Sequence, residues 1–125
     1  MSSPTDVVAA YFAGVTAGDP IAVADLFASD AVLQNSAGTF HGADAIRRMY
    51  ENGLAPGAMK PSPQDPIVDG EHVAVEIDLI ANGEHVTLGD FFTVRDSKIQ
   101  RLTIYSLTQT DGRLFDKVGV DPDAR

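Results

Sequence analysis

Cysteine and tryptophan are both absent from this 125-residue chain. Without cysteine there is no disulfide framework, no zinc–thiolate site and no thiol nucleophile. Cationic residues are scarce: 9 Lys and Arg stand against 18 Asp and Glu, leaving a net charge of −9. So acidic a chain is not expected to bind nucleic acid or an anionic membrane surface, both of which need clustered Lys and Arg. No apolar run approaches the ~20 residues that cross a bilayer. The opening Met1-Ser2-Ser3-Pro4-Thr5-Asp6 lacks the basic segment and apolar core of a secretory signal. A cytoplasmic protein is expected. There is no glycine-rich phosphate loop, no Gly-x-Ser-x-Gly elbow and no His-Glu-x-x-His helix. His41, His72 and His85 show no metal-ligand spacing, so no metal site is expected.

What is present reads as one ordinary globular domain spanning 1–125, with 1–3 and about 111–125 as loosely attached ends. Hydrophobic residues make up 44% and charged residues 22%. A chain of this size buries roughly two-thirds of its unfolded surface, enough for a core without staples. Helices come first. Ser3-Pro4-Thr5-Asp6 is a helix start: a hydroxyl cap, a proline at the first helical position and an acid at the positive dipole end. Val8, Tyr11, Phe12 and Val15 then recur on one stripe, and Gly18 closes the helix. Asp19-Pro20 starts a second helix whose inner face is expected from Ile21, Ala24 and Phe27. A short strand is expected over 31–35, a turn at Ser36-Ala37-Gly38, and a third helix over 43–54 through Ile46, Met49 and Tyr50.

Strands follow. Four prolines between Pro56 and Pro66 make that stretch a loop or an irregular edge strand. Val73, Val75, Ile77 and Leu79 alternate, and Asn82-Gly83 supplies a hairpin turn. Val86, Leu88, Phe92 and Val94 alternate next, Asp96-Ser97-Lys98 turns the chain, and 99–107 makes the last of three expected strands. Helices before an antiparallel meander imply an α+β fold, the helices packed on one face of a curved, mostly antiparallel sheet.

Four polar residues fall where the pattern wants apolar ones. Asp90 shares the inward face of Val86, Leu88, Phe92 and Val94. A carboxylate there is costly, and the usual escape is a raised pKa that leaves a neutral acid able to donate. The alternative is a β-bulge at Gly89 that swings Asp90 to solvent. Tyr11 lies on the apolar stripe of the first helix and Tyr50 on that of the third; each reads equally as a core tyrosine. Asn35 shares a strand face with Leu33, and it reads equally as a strand-end residue bonding the following turn.

Taken together these segments resemble the bacterial ketosteroid isomerase family of the NTF2-like, SnoaL-like superfamily. Val7-Val8-Ala9-Ala10-Tyr11 with Ala17-Gly18-Asp19 resembles its first helix, which carries an oxyanion-hole tyrosine. Leu26-Phe27-Ala28-Ser29-Asp30-Ala31 resembles the run into the first strand, and Ala45-Ile46-Arg47-Arg48-Met49-Tyr50 the third helix with its supporting tyrosine. Asp90-Phe91-Phe92 resembles the segment holding the family's protonated aspartic acid. The resemblance runs from about Val7 to Leu107 and implies three helices on a cone-shaped sheet. It implies isomerisation of 3-keto-Δ5-steroids through a dienolate, with Tyr11 and Asp90 as oxyanion donors. Tyr50, Leu33, Leu88 and Phe92 would support the site and hold the sterol; a homodimer and no cofactor are also implied. One departure matters: Asn35 stands where the family presents its general base. The chain therefore reads as a base-to-amide variant with much reduced activity. The rival readings are a SnoaL-like polyketide cyclase and a non-catalytic binder of small ligands. An epoxide hydrolase fits less well, because apolar Leu88 stands where its Asp-Arg-Asp arrangement needs a polar residue.

Overall fold

The computed structural model describes residues 2–107. The end expected over about 111–125 lies outside the described residues. Ser2 and Ser3, by contrast, are held. Ser2 N–H donates to Ser97 Oγ at 3.0 Å, and Ser3 caps the first helix.

Helix α1 (Pro4–Ala17) begins with a reciprocal capping box. Ser3 Oγ accepts from Asp6 N–H at 3.2 Å, and Asp6 Oδ2 accepts from Ser3 N–H at 3.3 Å. Gly18 ends it in the left-handed region, at φ 66°. A Cβ there would sit 2.3–2.5 Å from backbone atoms of Ala55 and Pro56. Gly18→Ala is therefore expected to cost about 2 kcal/mol or more, left-handed strain plus a backbone collision, read as a lowered urea midpoint.

Helix α2 (Pro20–Ala24) is capped by Asp19, whose Oδ1 accepts from Ala22 N–H at 3.1 Å. It is shorter than expected and turned differently. Ile21 is 58% exposed and Phe27 belongs to the next strand, so Val23 and Ala24 form the inner face. Val23 packs onto α1 where Gly14 leaves room: a Cβ on Gly14 would lie 2.8 Å from Val23 Cγ2. Helix α3 (Ala43–Gly53) buries Ile46 and Tyr50 and stops one residue before Leu54, which acts as its C-cap.

Among the described residues, seven strands form one sheet in the order β2-β1-β7-β6-β5-β3, with β4 also on β5. Their ranges are β1 Phe27–Asn35, β2 Gly38–His41, β3 Met59–Pro63, β4 Ile67–Asp69, β5 His72–Ala81, β6 Glu84–Arg95 and β7 Lys98–Leu107. Only the β1–β7 pairing is parallel among these pairs. Strand β1 starts earlier than expected because Ser29 and Asp30 break its alternation, where its register against β7 also shifts. The proline-rich stretch holds an edge strand, β3, as one of its two expected forms. Strand β4, three exposed residues long, was too short for a periodic pattern, so four strands follow β3 rather than three. Asn82 and Gly83 take φ of 52° and 83°, the primed turn that Asn-Gly favours.

The helices lie on one face of this sheet, burying Val7, Val8, Tyr11, Phe12 and Val15 against Leu33, Ile77, Phe92 and Leu102. The bulge considered at Gly89 does not occur. Asp90 pairs in continuous register with Val75 on β5 and Ile104 on β7, and the shift falls at Thr93–Val94. Asp90 is thus directed inward at 2% exposure.

Candidate functional site

A cavity of about 240 Å³ opens between α1, α3 and the inner face of the sheet. Its walls include Phe12, Val15, Ile77, Leu79, Leu88 and Ile104. Three buried polar side chains enter this apolar space: Tyr11 from α1, Tyr50 from α3 and Asp90 from β6.

The two phenol oxygens lie 2.6 Å apart. One hydroxyl donates to the other, which leaves the acceptor's own proton free for a third group. Burial pushes both tyrosine pKa values well above their ordinary range, and Asp90 adds to the effect, so both stay protonated. Tyr11 is fixed by rings on three sides. Phe12, Phe27 and Phe92 meet it edge-on with centroids 5.2, 6.3 and 5.4 Å away.

Asp90 is the one buried charged-type side chain among the described residues. Burial pushes its pKa up to about 7. Its Oδ1 has no hydrogen-bond partner among the described residues. A polar atom left in that condition costs about 1–3 kcal/mol, which a ligand group could relieve. Near neutral pH, then, the cavity holds a phenol donor beside a carboxyl group that can donate or accept a proton.

Asn35 lies at the rim, half-buried at the end of β1. Its Oδ1 accepts from Ala37 N–H at 2.9 Å, and its Nδ2 faces Met49 Sδ at 3.6 Å. Asn35 thus closes the turn into β2 and also lines the cavity. Tyr50 and Leu88 line it as well. Leu33 and Phe92 do not. They sit 0% and 1% exposed in the core, because β1 and β6 direct them beneath the walls, and Phe92 acts only by bracing Tyr11.

Met49, Met59, Pro61, Gly53 and Ile104 complete the lining and were not anticipated. Alternation with Leu102 could have placed Ile104. Nothing in the sequence pointed to Met59 or Pro61, since prolines hide the period of an edge strand. A shallow hollow of about 630 Å³ lies on the outer face, beside exposed Ile67, Phe91, Tyr105 and Leu107. No helix among the described residues is long and apolar enough to cross a membrane.

A family model described as the SnoaL-like domain matches residues 8–102. None of the curated proteins matches the chain in sequence. Among solved structures, a "putative polyketide cyclase" from Sinorhizobium meliloti is 28% identical, with a TM-score of 0.70 over 82% of this chain and 99% of its own. A "putative ketosteroid isomerase" from Kribbella flavida is 19% identical, with a TM-score of 0.75 over 86% and 80%. An NTF2-like protein of unknown function from Cytophaga hutchinsonii is 15% identical, with a TM-score of 0.75 over 93% and 96%. The last two similarities establish the NTF2-like fold and nothing about chemistry.

Proposed function

The chain belongs to the SnoaL-like domain family, and on that premise we propose that its cavity binds a flat, apolar carbonyl compound and stabilises the enolate formed from it. The substrate class is a 3-keto-Δ5-steroid, isomerised to the Δ4 form. Because the amide of Asn35 cannot take a proton, solvent water at the rim would accept the C4 proton and return one at C6, and negative charge develops meanwhile on the C3 oxygen. Tyr50 donates to Tyr11, which frees the Tyr11 proton for that oxygen, and protonated Asp90 supplies a second donor. Such donors act best when fixed in a water-poor site. The observation that carries this reading is the 2.6 Å tyrosine pair sharing one apolar cavity with Asp90, whose Oδ1 has no hydrogen-bond partner among the described residues.

At about 240 Å³ the cavity is smaller than the ~300–1,000 Å³ of common ligand sites. It would take the ketone end of a sterol and leave the rest at the rim. With an amide at Asn35 in place of a carboxylate, turnover by this chain is slow. A homodimer through the outer face, where Phe91 is 54% and Tyr105 61% exposed, belongs to the same reading.

A second reading rests on Asp90 itself, the sole carboxylate among the described lining residues, with a pKa of about 7. That value suits a general base removing a proton beside a carbonyl, as a polyketide cyclase requires. The 28%-identical relative carries that name.

Titration with a phenolic steroid, whose oxygen mimics the enolate, tests the first reading. Tyr11→Phe and Asp90→Leu are each expected to weaken binding about tenfold, the worth of one hydrogen bond to a charged oxygen. Unchanged affinity in both variants would remove the oxyanion assignment.

A further inference from the structure

Asn35 can offer the cavity only one kind of hydrogen-bonding atom. A backbone N–H can donate and never accept, so the side-chain atom facing Ala37 N–H at 2.9 Å must be the oxygen. The NH₂ group is therefore the end that faces Met49 Sδ, at 3.6 Å. Turning the amide over would set two donors against each other at Ala37 and break the turn between β1 and β2, where Asn35 pairs with Gly38. A thioether sulfur is a weak acceptor, and it occupies at most one of the two amide protons. Asn35 thus holds a poorly used donor in the cavity wall.

Burial separates this donor from the other polar groups. Tyr11 and Asp90 are 4% and 2% exposed, deep in the fold, whereas Asn35 is half-buried at the rim. A ligand with one carbonyl satisfies the deep donors and leaves the rim amide to the weak sulfur acceptor and to solvent. A ligand with a second oxygen acceptor at its outer end satisfies both.

We infer that Asn35 is a specificity-determining residue that selects ligands bearing a second acceptor oxygen, so that a planar diketone is preferred over the monoketone of the same ring frame. The inference rests on the reading that Tyr11 and Asp90 receive a carbonyl oxygen, and it narrows the substrate class from ketones to dioxygenated ring systems.

Calorimetric titration at pH 6 with tetralones and the corresponding naphthoquinones tests it. The chain has no thiol for a quinone to alkylate. The best diketone is expected to bind about tenfold more tightly than its monoketone, the discrimination one added hydrogen bond provides. Asn35→Asp should reverse that preference, since one carboxylate oxygen still accepts from Ala37 while the other repels the ligand's outer oxygen. Asn35→Leu should bring the ratio to about one. A ratio unchanged in both variants overturns the inference. Tyr11→Phe separates this failure from that of the underlying reading: it should weaken monoketone and diketone alike and preserve their ratio. Monoketone binding indifferent to Tyr11→Phe would sink the oxyanion assignment, whatever the ratio does. No binding by any member of the series would overturn both.

Discussion

Asn35→Asp is expected to raise isomerisation of a 5-ene-3-one steroid by roughly 10²–10⁴-fold, the usual contribution of a positioned general base. The replacement is nearly isosteric. One carboxylate oxygen would keep the 2.9 Å bond from Ala37 N–H, so the β1–β2 turn survives. The other would replace the amide nitrogen beside Met49, converting a donor at the cavity rim into a proton acceptor. The half-buried position leaves that carboxylate partly hydrated and ionised at neutral pH, as a base must be. Growth of conjugated-enone absorbance measures the gain. No gain, in a protein that still binds the phenolic steroid, would count against steroid isomerisation and favour the reading in which Asp90 moves the proton.

The stability of the protein is expected to fall as pH rises from about 4 to about 7, and Asp90→Asn should abolish that component. The folded-state pKa, near 7, lies above the ordinary 3.8 of an aspartic acid. Below pH ~4 the group is protonated whether the chain is folded or not, and its contribution is fully present. Between those values the unfolded chain releases a proton that the folded chain retains, so folding loses about 1.4 kcal/mol per pH unit. Above about pH 7 both states are ionised and the loss is complete, on the order of 4 kcal/mol. Urea unfolding of parent and variant at pH 4, 6 and 8 isolates this residue, because the other carboxylates cancel in the difference. The variant should gain on the parent by that amount between pH 4 and 8. A difference independent of pH would mean that Asp90 is not a buried, reluctant acid.

How much of this was legible beforehand follows from where each signal lies. Asp90 could be found because β6 alternates without interruption from Val86 to Val94, so one polar residue in phase with four apolar ones is conspicuous. The caps of α1 and α2 were legible for a similar reason, since their whole mechanism fits within four consecutive residues. The pairing of Tyr11 with Tyr50 was legible only through the family resemblance, because 39 residues separate two phenols that each look like ordinary core tyrosines. Asn35 combines both cases. Its turn-closing role is local and readable, but its place at the cavity rim depends on Met49 coming across from α3. Strands β1, β3 and β4 were blurred by physical causes: a register shift, prolines and extreme shortness.

The wall formed by β3 has a wider consequence. Its Pro61 and Pro63 have no N–H to offer, and β3 is the terminal strand on its side of the sheet, so further strands cannot readily be added there. The lip of the cavity is therefore an edge strand, a different element from α1, α3 and β6, which carry the phenol pair and the acid. Changes of length or side-chain size along that strand would resize the cavity for larger or smaller guests while leaving Tyr11, Tyr50 and Asp90 in place. One chemical apparatus could in this way be refitted to many molecular shapes.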